Sequence, residues 1–265
     1  MASVNRDVRI FGYYDCGQRS DLSQKAVLKG ENIMENLIEI KNLTKRYKRK
    51  NAVNDLTINI KKGEIYGLIG NNGAGKTTLL KMIAGLTVPT SGAIVVSEKG
   101  IKTGTLISKP YLYGDMSAAD NLKALSVAAG YNIDKSAISE TLDMVGLSGV
   151  GNKKAGSFST GMKQRLGLAL ALIGKPDLLL LDEPINGLDI EGVVDLRNVI
   201  LKIHKESETT IIVSSHILDE LSKIATRICL IKNGKIVVDC SEQEFLEKGG
   251  GKSLEESYLK FMAQN

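Results

Sequence analysis

The strongest constraint on this chain is a short apolar run that ends in glycines and then turns helical. Residues 65–69 are strand-like, and Gly70-Asn71-Asn72-Gly73-Ala74-Gly75-Lys76-Thr77 follows at once, with Thr78 next. A strand feeding a helix through such a turn points successive backbone N–H groups at one spot, with the helix dipole behind them. Gly70, Gly73 and Gly75 permit the tight turn and an anion's close approach, which a Cβ would obstruct. The spacing G-x-x-x-x-G-K-[ST] then carries Lys76 to the β- and γ-phosphates of a nucleoside triphosphate and the Thr77 hydroxyl to its Mg²⁺.

The rest of the chain fits a fold built around that turn. Alternation at 37–43 and 56–60 predicts two strands with 51–55 as the turn region between them. Further strands are expected at 93–97, 105–108, 178–181 and 210–214, and at 227–231 and 235–239 as a hairpin around Asn233-Gly234. Helical spacing marks 77–84, 121–129, 138–145, 162–173, 191–204, 217–224 and most of 242–262. Strands alternating with helices after a phosphate loop predict an α/β fold, a mostly parallel sheet with the nucleotide at the strand C-termini. The early strands lack crossover helices and predict an antiparallel flank. The helical stretch at about 109–165 reads as an inserted subdomain, and 242–265 as a helical tail.

The second chemical feature is Leu178-Leu179-Leu180-Leu181-Asp182-Glu183, a central strand ending in two acids. Asp182 is placed to hold Mg²⁺, and Glu183 to polarise the water that attacks the γ-phosphate. Upstream, Phe158-Ser159-Thr160-Gly161-Met162-Lys163-Gln164-Arg165 leads into a helix. Ser159 reads there as an N-cap, or as a second helix N-terminus able to bind an anion.

Together these segments resemble the nucleotide-binding subunit of an ABC transporter, a P-loop NTPase, over essentially all of 34–265. The resemblance implies further roles. Tyr47 stands at the adenine-stacking aromatic. Ser159, Thr160 and Gly161 stand in the signature that contacts the γ-phosphate of ATP bound to a second subunit. Asp189, in Asn186-Gly187-Leu188-Asp189, belongs to the loop that crosses the dimer interface, and His216 matches the histidine that senses the γ-phosphate. The Ser-x-Gly-Met-Lys-Gln-Arg variant resembles the bacitracin-resistance and lantibiotic-immunity branch of exporters. Ser108 occupies the position where the family carries Gln or Glu near the metal and the attacking water; its side chain is shorter, which implies looser coupling to the membrane subunit. The implied function is an ATP-hydrolysing motor subunit, two copies enclosing two Mg-ATP, driving a separate transmembrane permease from the cytoplasmic face of the membrane. The permease would dock on the helical insert and on 109–116, around Tyr111 and Tyr113.

Composition narrows the field. The chain has 265 residues, 43% hydrophobic and 25% charged, with no apolar run long enough to span a bilayer, so the spanning part is expected on another chain. The basic run Lys45-Arg46-Tyr47-Lys48-Arg49-Lys50 does not continue as a stripe, so no nucleic-acid partner is expected. Cys16, Cys229 and Cys240 lack metal-ligand spacing and read as reduced thiols. Residues 1–33 lack a signal peptide's apolar core and read as an extension outside the chemistry. Two other readings stay open: a soluble ABC ATPase acting on ribosomes or DNA, and an ATP-binding regulatory module with weak turnover.

Overall fold

The structure is a computed structural model that describes residues 36–97 and 100–263; the extension expected at 1–33 lies outside them. In chain order the strands are β1 (Asn36–Tyr47), β2 (Lys50–Lys61), β3 (Ile65–Ile69), β4 (Ser91–Val96), β5 (Thr103–Leu106), β6 (Leu178–Asp182), β7 (Thr210–Ser215), β8 (Arg227–Lys232) and β9 (Lys235–Cys240). The helices are α1 (Lys76–Ile83), α2 (Ala118–Ala128), α3 (Lys135–Met144), α4 (Thr160–Ala171), α5 (Ile190–Ser207), α6 (Leu218–Ser222), α7 (Glu242–Gly249) and α8 (Leu254–Ala263).

They form two sheets. The first is antiparallel, in the order β2-β1-β4. The second runs β5-β6-β7-β3-β8-β9 and is parallel except for the β8–β9 hairpin. Strands β3, β6 and β7 are buried at every position. A parallel sheet covered on both faces requires this, and the unbroken apolar runs supply it. On one face, Leu37, Ile40, Ile58, Tyr66 and Leu80 join the two sheets around α1. On the other, Leu166, Leu196, Ile200 and Phe245 pack the helices. The hairpin expected at Asn233-Gly234 is present, with φ of 51° and 77° at the two positions, the positive values that its tight turn needs.

One expectation fails. The connection between β1 and β2 is at Lys48-Arg49, and 51–55 belongs to β2. The polar residues there mimic a turn, yet they edge a sheet that bonds elsewhere: the Asn54 N–H donates to the Gly234 carbonyl at 2.8 Å. Tertiary pairing overrides local preference.

Arg227 clamps the sheet's entry end. Its Nη2 donates to Asp239 Oδ2 at 2.7 Å, its Nη1 donates to the Asn59 carbonyl at 2.8 Å, and its guanidinium lies 5.3 Å from the Tyr66 ring centre. Burial raises the carboxyl pKa of both Asp239 and Glu64, with Arg227 opposing that rise. Arg227→Ala strands both acids and should lower stability by about 2 kcal/mol, less than for a fully buried pair. An acid whose folded pKa is raised stabilises the fold at low pH and loses that contribution as pH climbs through the folded value. The deficit should therefore widen with pH across the carboxylate range; urea titrations showing a pH-independent or absent deficit would refute this.

Candidate functional site

The loop after β3 enters α1 at Lys76 through Gly75, whose φ is 116°. A Cβ on Gly75 would strike the Ala52 carbonyl of β2, so the protein's own packing demands glycine here as much as any ligand does. Helices α2, α3, α4, α5 and α7 begin with side-chain caps from Ser117, Asp134, Ser159, Asp189 and Ser241. Helix α1 has none. Its orphan N–H groups, with those of Asn72 and Gly73, border a cavity of about 280 Å³ that reaches from Tyr47 to Glu183. An uncapped helix start opening on such a cavity fits a polyphosphate. Lys76, only 5% exposed, donates from Nζ to the Gly70 carbonyl at 2.5 Å and the Asn71 carbonyl at 3.4 Å, and pairs with Glu183 Oε1 at 3.1 Å.

The acids arrive from β6, which is not beside β3: β7 lies between them. Even so, the Thr77 hydroxyl lies 2.8 and 3.1 Å from the two Asp182 oxygens. Ser214 on β7 orders the site from beneath. Its hydroxyl donates to Asp182 Oδ1 at 2.7 Å and accepts from the Glu183 N–H at 2.9 Å. Glu183 itself sits at φ 49°, a left-handed conformation uncommon outside glycine and asparagine. That backbone aims its carboxylate at two cations or donors at once, Lys76 through Oε1 and His216 Nδ1 through Oε2 at 2.6 Å. The result is a line from Lys76 through Glu183 to His216. Thr77 and Asp182 supply hard oxygen donors of the kind that would hold Mg²⁺.

The other expected residues are placed as follows. Tyr47 ends β1 at the cavity mouth, 47% exposed, with Lys45 Nζ 5.1 Å from its ring centre. Asn72, Ala74 and Thr78 line the cavity, and Asn71 lies on the loop's outer side. Ser159, Thr160, Gly161 and Asp189 stand outside the cavity of their own chain. There Ser159 accepts from the Met162 N–H at 3.2 Å, and Asp189 from the Gly192 N–H at 2.9 Å. Ser108 follows β5 at φ 70°, exposed, and among the described residues no hydrogen bond joins it to Thr77 or Asp182. Ser214 escapes sequence reasoning; Lys50, read in the sequence only as part of the basic run at 45–50, borders the cavity. The signal for Ser214 was a buried Ser-Ser pair closing an apolar strand.

The family described as ABC transporter matches residues 53–186, the span from β2 through both acids. This chain belongs to that family. It is an ATP-binding cassette, the ATPase part of such a transporter. It is 40% identical over 221 residues to the bacitracin transport ATP-binding protein BcrA of Enterococcus faecalis, covering 80% of this chain and 71% of the relative. It is 41% identical over 228 residues to the lantibiotic transport ATP-binding protein SrtF of Streptococcus pyogenes, covering 84% of this chain and 96% of the relative. A solved dimeric cassette in a post-hydrolysis state, bound to ADP and Pi, superposes with a TM-score of 0.69 at 25% identity, over 77% of this chain and 98% of that one. No helix among the described residues of the cassette is long and apolar enough to cross a membrane.

Proposed function

We propose that the cassette is the motor of an exporter of peptide antibiotics or similar amphipathic compounds. Two copies enclose two Mg-ATP at the cytoplasmic face of the membrane, and a separate permease docks on the insert formed by α2, α3 and α4 and on the segment around Tyr111 and Tyr113. The observation that carries the reading is the convergence on one cavity of an uncapped helix start, buried Lys76, and a carboxylate held by His216. Lys76 and the loop N–H groups bind the β- and γ-phosphates, and Tyr47 stacks on the base. Bound at Thr77 and Asp182, Mg²⁺ would neutralise phosphate charge. Glu183 accepts the proton of the attacking water as the bond from the γ-phosphorus to the bridging oxygen breaks, releasing ADP and phosphate. His216 orients that carboxylate. Ser159, Thr160 and Gly161 of the partner subunit would close over the γ-phosphate, so that ATP draws two cassettes together and hydrolysis parts them. The relatives named for bacitracin and lantibiotic transport support the cargo class.

Co-purification tests the whole: the tagged chain drawn from native membranes should bring a multi-spanning protein in fixed stoichiometry, and their joint ATPase should exceed that of the cassette alone. Recovery only with ribosomes or DNA would overturn it. Tyr47→Ala should weaken ATP binding by about 1–3 kcal/mol, the scale of base stacking on an aromatic ring, without lowering turnover at saturation. ATP and GTP should bind the parent within about tenfold, since stacking tolerates any base. Unchanged nucleotide affinity in the variant would remove Tyr47 from the site.

A further inference from the structure

The phosphate loop is held from outside by a segment that the hydrolytic mechanism does not use. Helix α8 is seated on α7 through Phe261 and Phe245, ring centres 5.0 Å apart. Its last turn is tied to the sheet where Lys232 Nζ donates to the Met262 carbonyl at 2.7 Å. Lys232 closes β8, next to Ile231, whose carbonyl abuts Gly70. From this base the Tyr258 hydroxyl donates to Asn71 Oδ1 at 3.0 Å, across 187 residues of chain. Asn71 is the second residue of the loop, and its carbonyl accepts from the Ala74 N–H at 3.1 Å and from Lys76 Nζ at 3.4 Å. One residue thus joins the interior of the cradle to the tail. Burial raises the Tyr258 phenol above its ordinary pKa, so the hydroxyl keeps its proton at neutral pH and remains a donor.

A loop with three glycines in eight residues loses much conformational freedom on closing around phosphate. An anchor that holds it in shape beforehand lowers that loss and tightens binding without touching the ligand. We propose that Tyr258 is a positioning residue for the nucleotide: through Asn71 it fixes the first turn of the phosphate loop in the form that receives the β- and γ-phosphates. The inference rests on the nucleotide site proposed above.

The experiment is titration of the full chain with MgADP, which reads binding without turnover. Tyr258→Phe removes only the hydroxyl and should weaken ADP about three- to tenfold, the yield of one net hydrogen bond. Asn71→Ala should do the same, and the double variant should be no weaker than the weaker single. A merely structural role would lower the melting temperature of the nucleotide-free chain and leave the dissociation constant of the folded fraction where it was. Unchanged ADP affinity in Tyr258→Phe overturns the inference, as do additive losses in the double variant. Lys76→Ala, in the same titration, should abolish binding. If it does while Tyr258→Phe binds normally, the inference alone fails; if Lys76→Ala binds like the parent, the site is misplaced and both readings fall.

Discussion

Glu183→Gln is expected to arrest the cassette as an ATP-bound dimer. The amide has the carboxylate's shape and can still face His216, but it cannot take a proton from water, and loss of a positioned base slows turnover by about 10²–10⁴-fold. Binding should survive and even tighten. Glu183 pairs with Lys76 at 3.1 Å, and neutralising it leaves the ammonium free to meet phosphate. Size-exclusion chromatography with Mg-ATP should show the variant as a dimer and the parent largely as a monomer. A monomeric variant with undiminished turnover would remove Glu183 from its role.

Asp182→Asn should be nearly as severe, by a different route. The carboxylate is buried, takes hydrogen bonds from Thr77 and Ser214, and supplies a negative charge where a divalent cation would sit. The amide keeps the Ser214 contact on its oxygen but turns N–H groups towards Thr77 and carries no charge. Turnover should fall by about 10²-fold, and the Mg²⁺ concentration for half-maximal rate should rise. Metal-free ADP should bind nearly as before, because Lys76 and the loop N–H groups are intact. An unaltered Mg²⁺ dependence would show that Asp182 does not face the metal.

What can be read from this sequence is what short-range physics controls. The runs at 178–181 and 210–214 match β6 and β7 to within a residue, because four leucines in one and Ile211-Ile212-Val213 in the other make short unbroken apolar runs of the kind a strand covered on both faces needs. The phosphate loop is equally legible, since an anion cradle needs glycine, lysine and a hydroxyl at fixed spacing. The residues at 51–55 mislead because pairing with β1, Asn51 opposite Arg46 and Val53 opposite Lys45, continues through them, and a backbone bond from Asn54 to Gly234, about 180 positions away, adds to it. Ser214 is hidden for the same reason: its value lies in β7 coming to rest between two strands that are far apart in the chain. The pairing of Tyr258 with Asn71 leaves no local trace at all. Ser159 and Asp189 look like ordinary helix caps in the sequence, and within this chain they cap α4 and α5.

The placement of β7 has a consequence for how such a machine can be adjusted. It runs between β3, which delivers the cradle, and β6, which delivers both acids. Ser214 is paired across the sheet with Leu68 on one side and Asp182 on the other, and its hydroxyl also takes the Glu183 amide. Two residues later, His216 grips the Glu183 carboxylate. A single strand end therefore sets the positions of the Asp182 and Glu183 carboxylates together, one dial for two settings. A substitution at Ser214 shifts the Asp182 carboxylate and the Glu183 amide together, whereas changes at Asp182 or Glu183 themselves, from the β6 side, move one without the other.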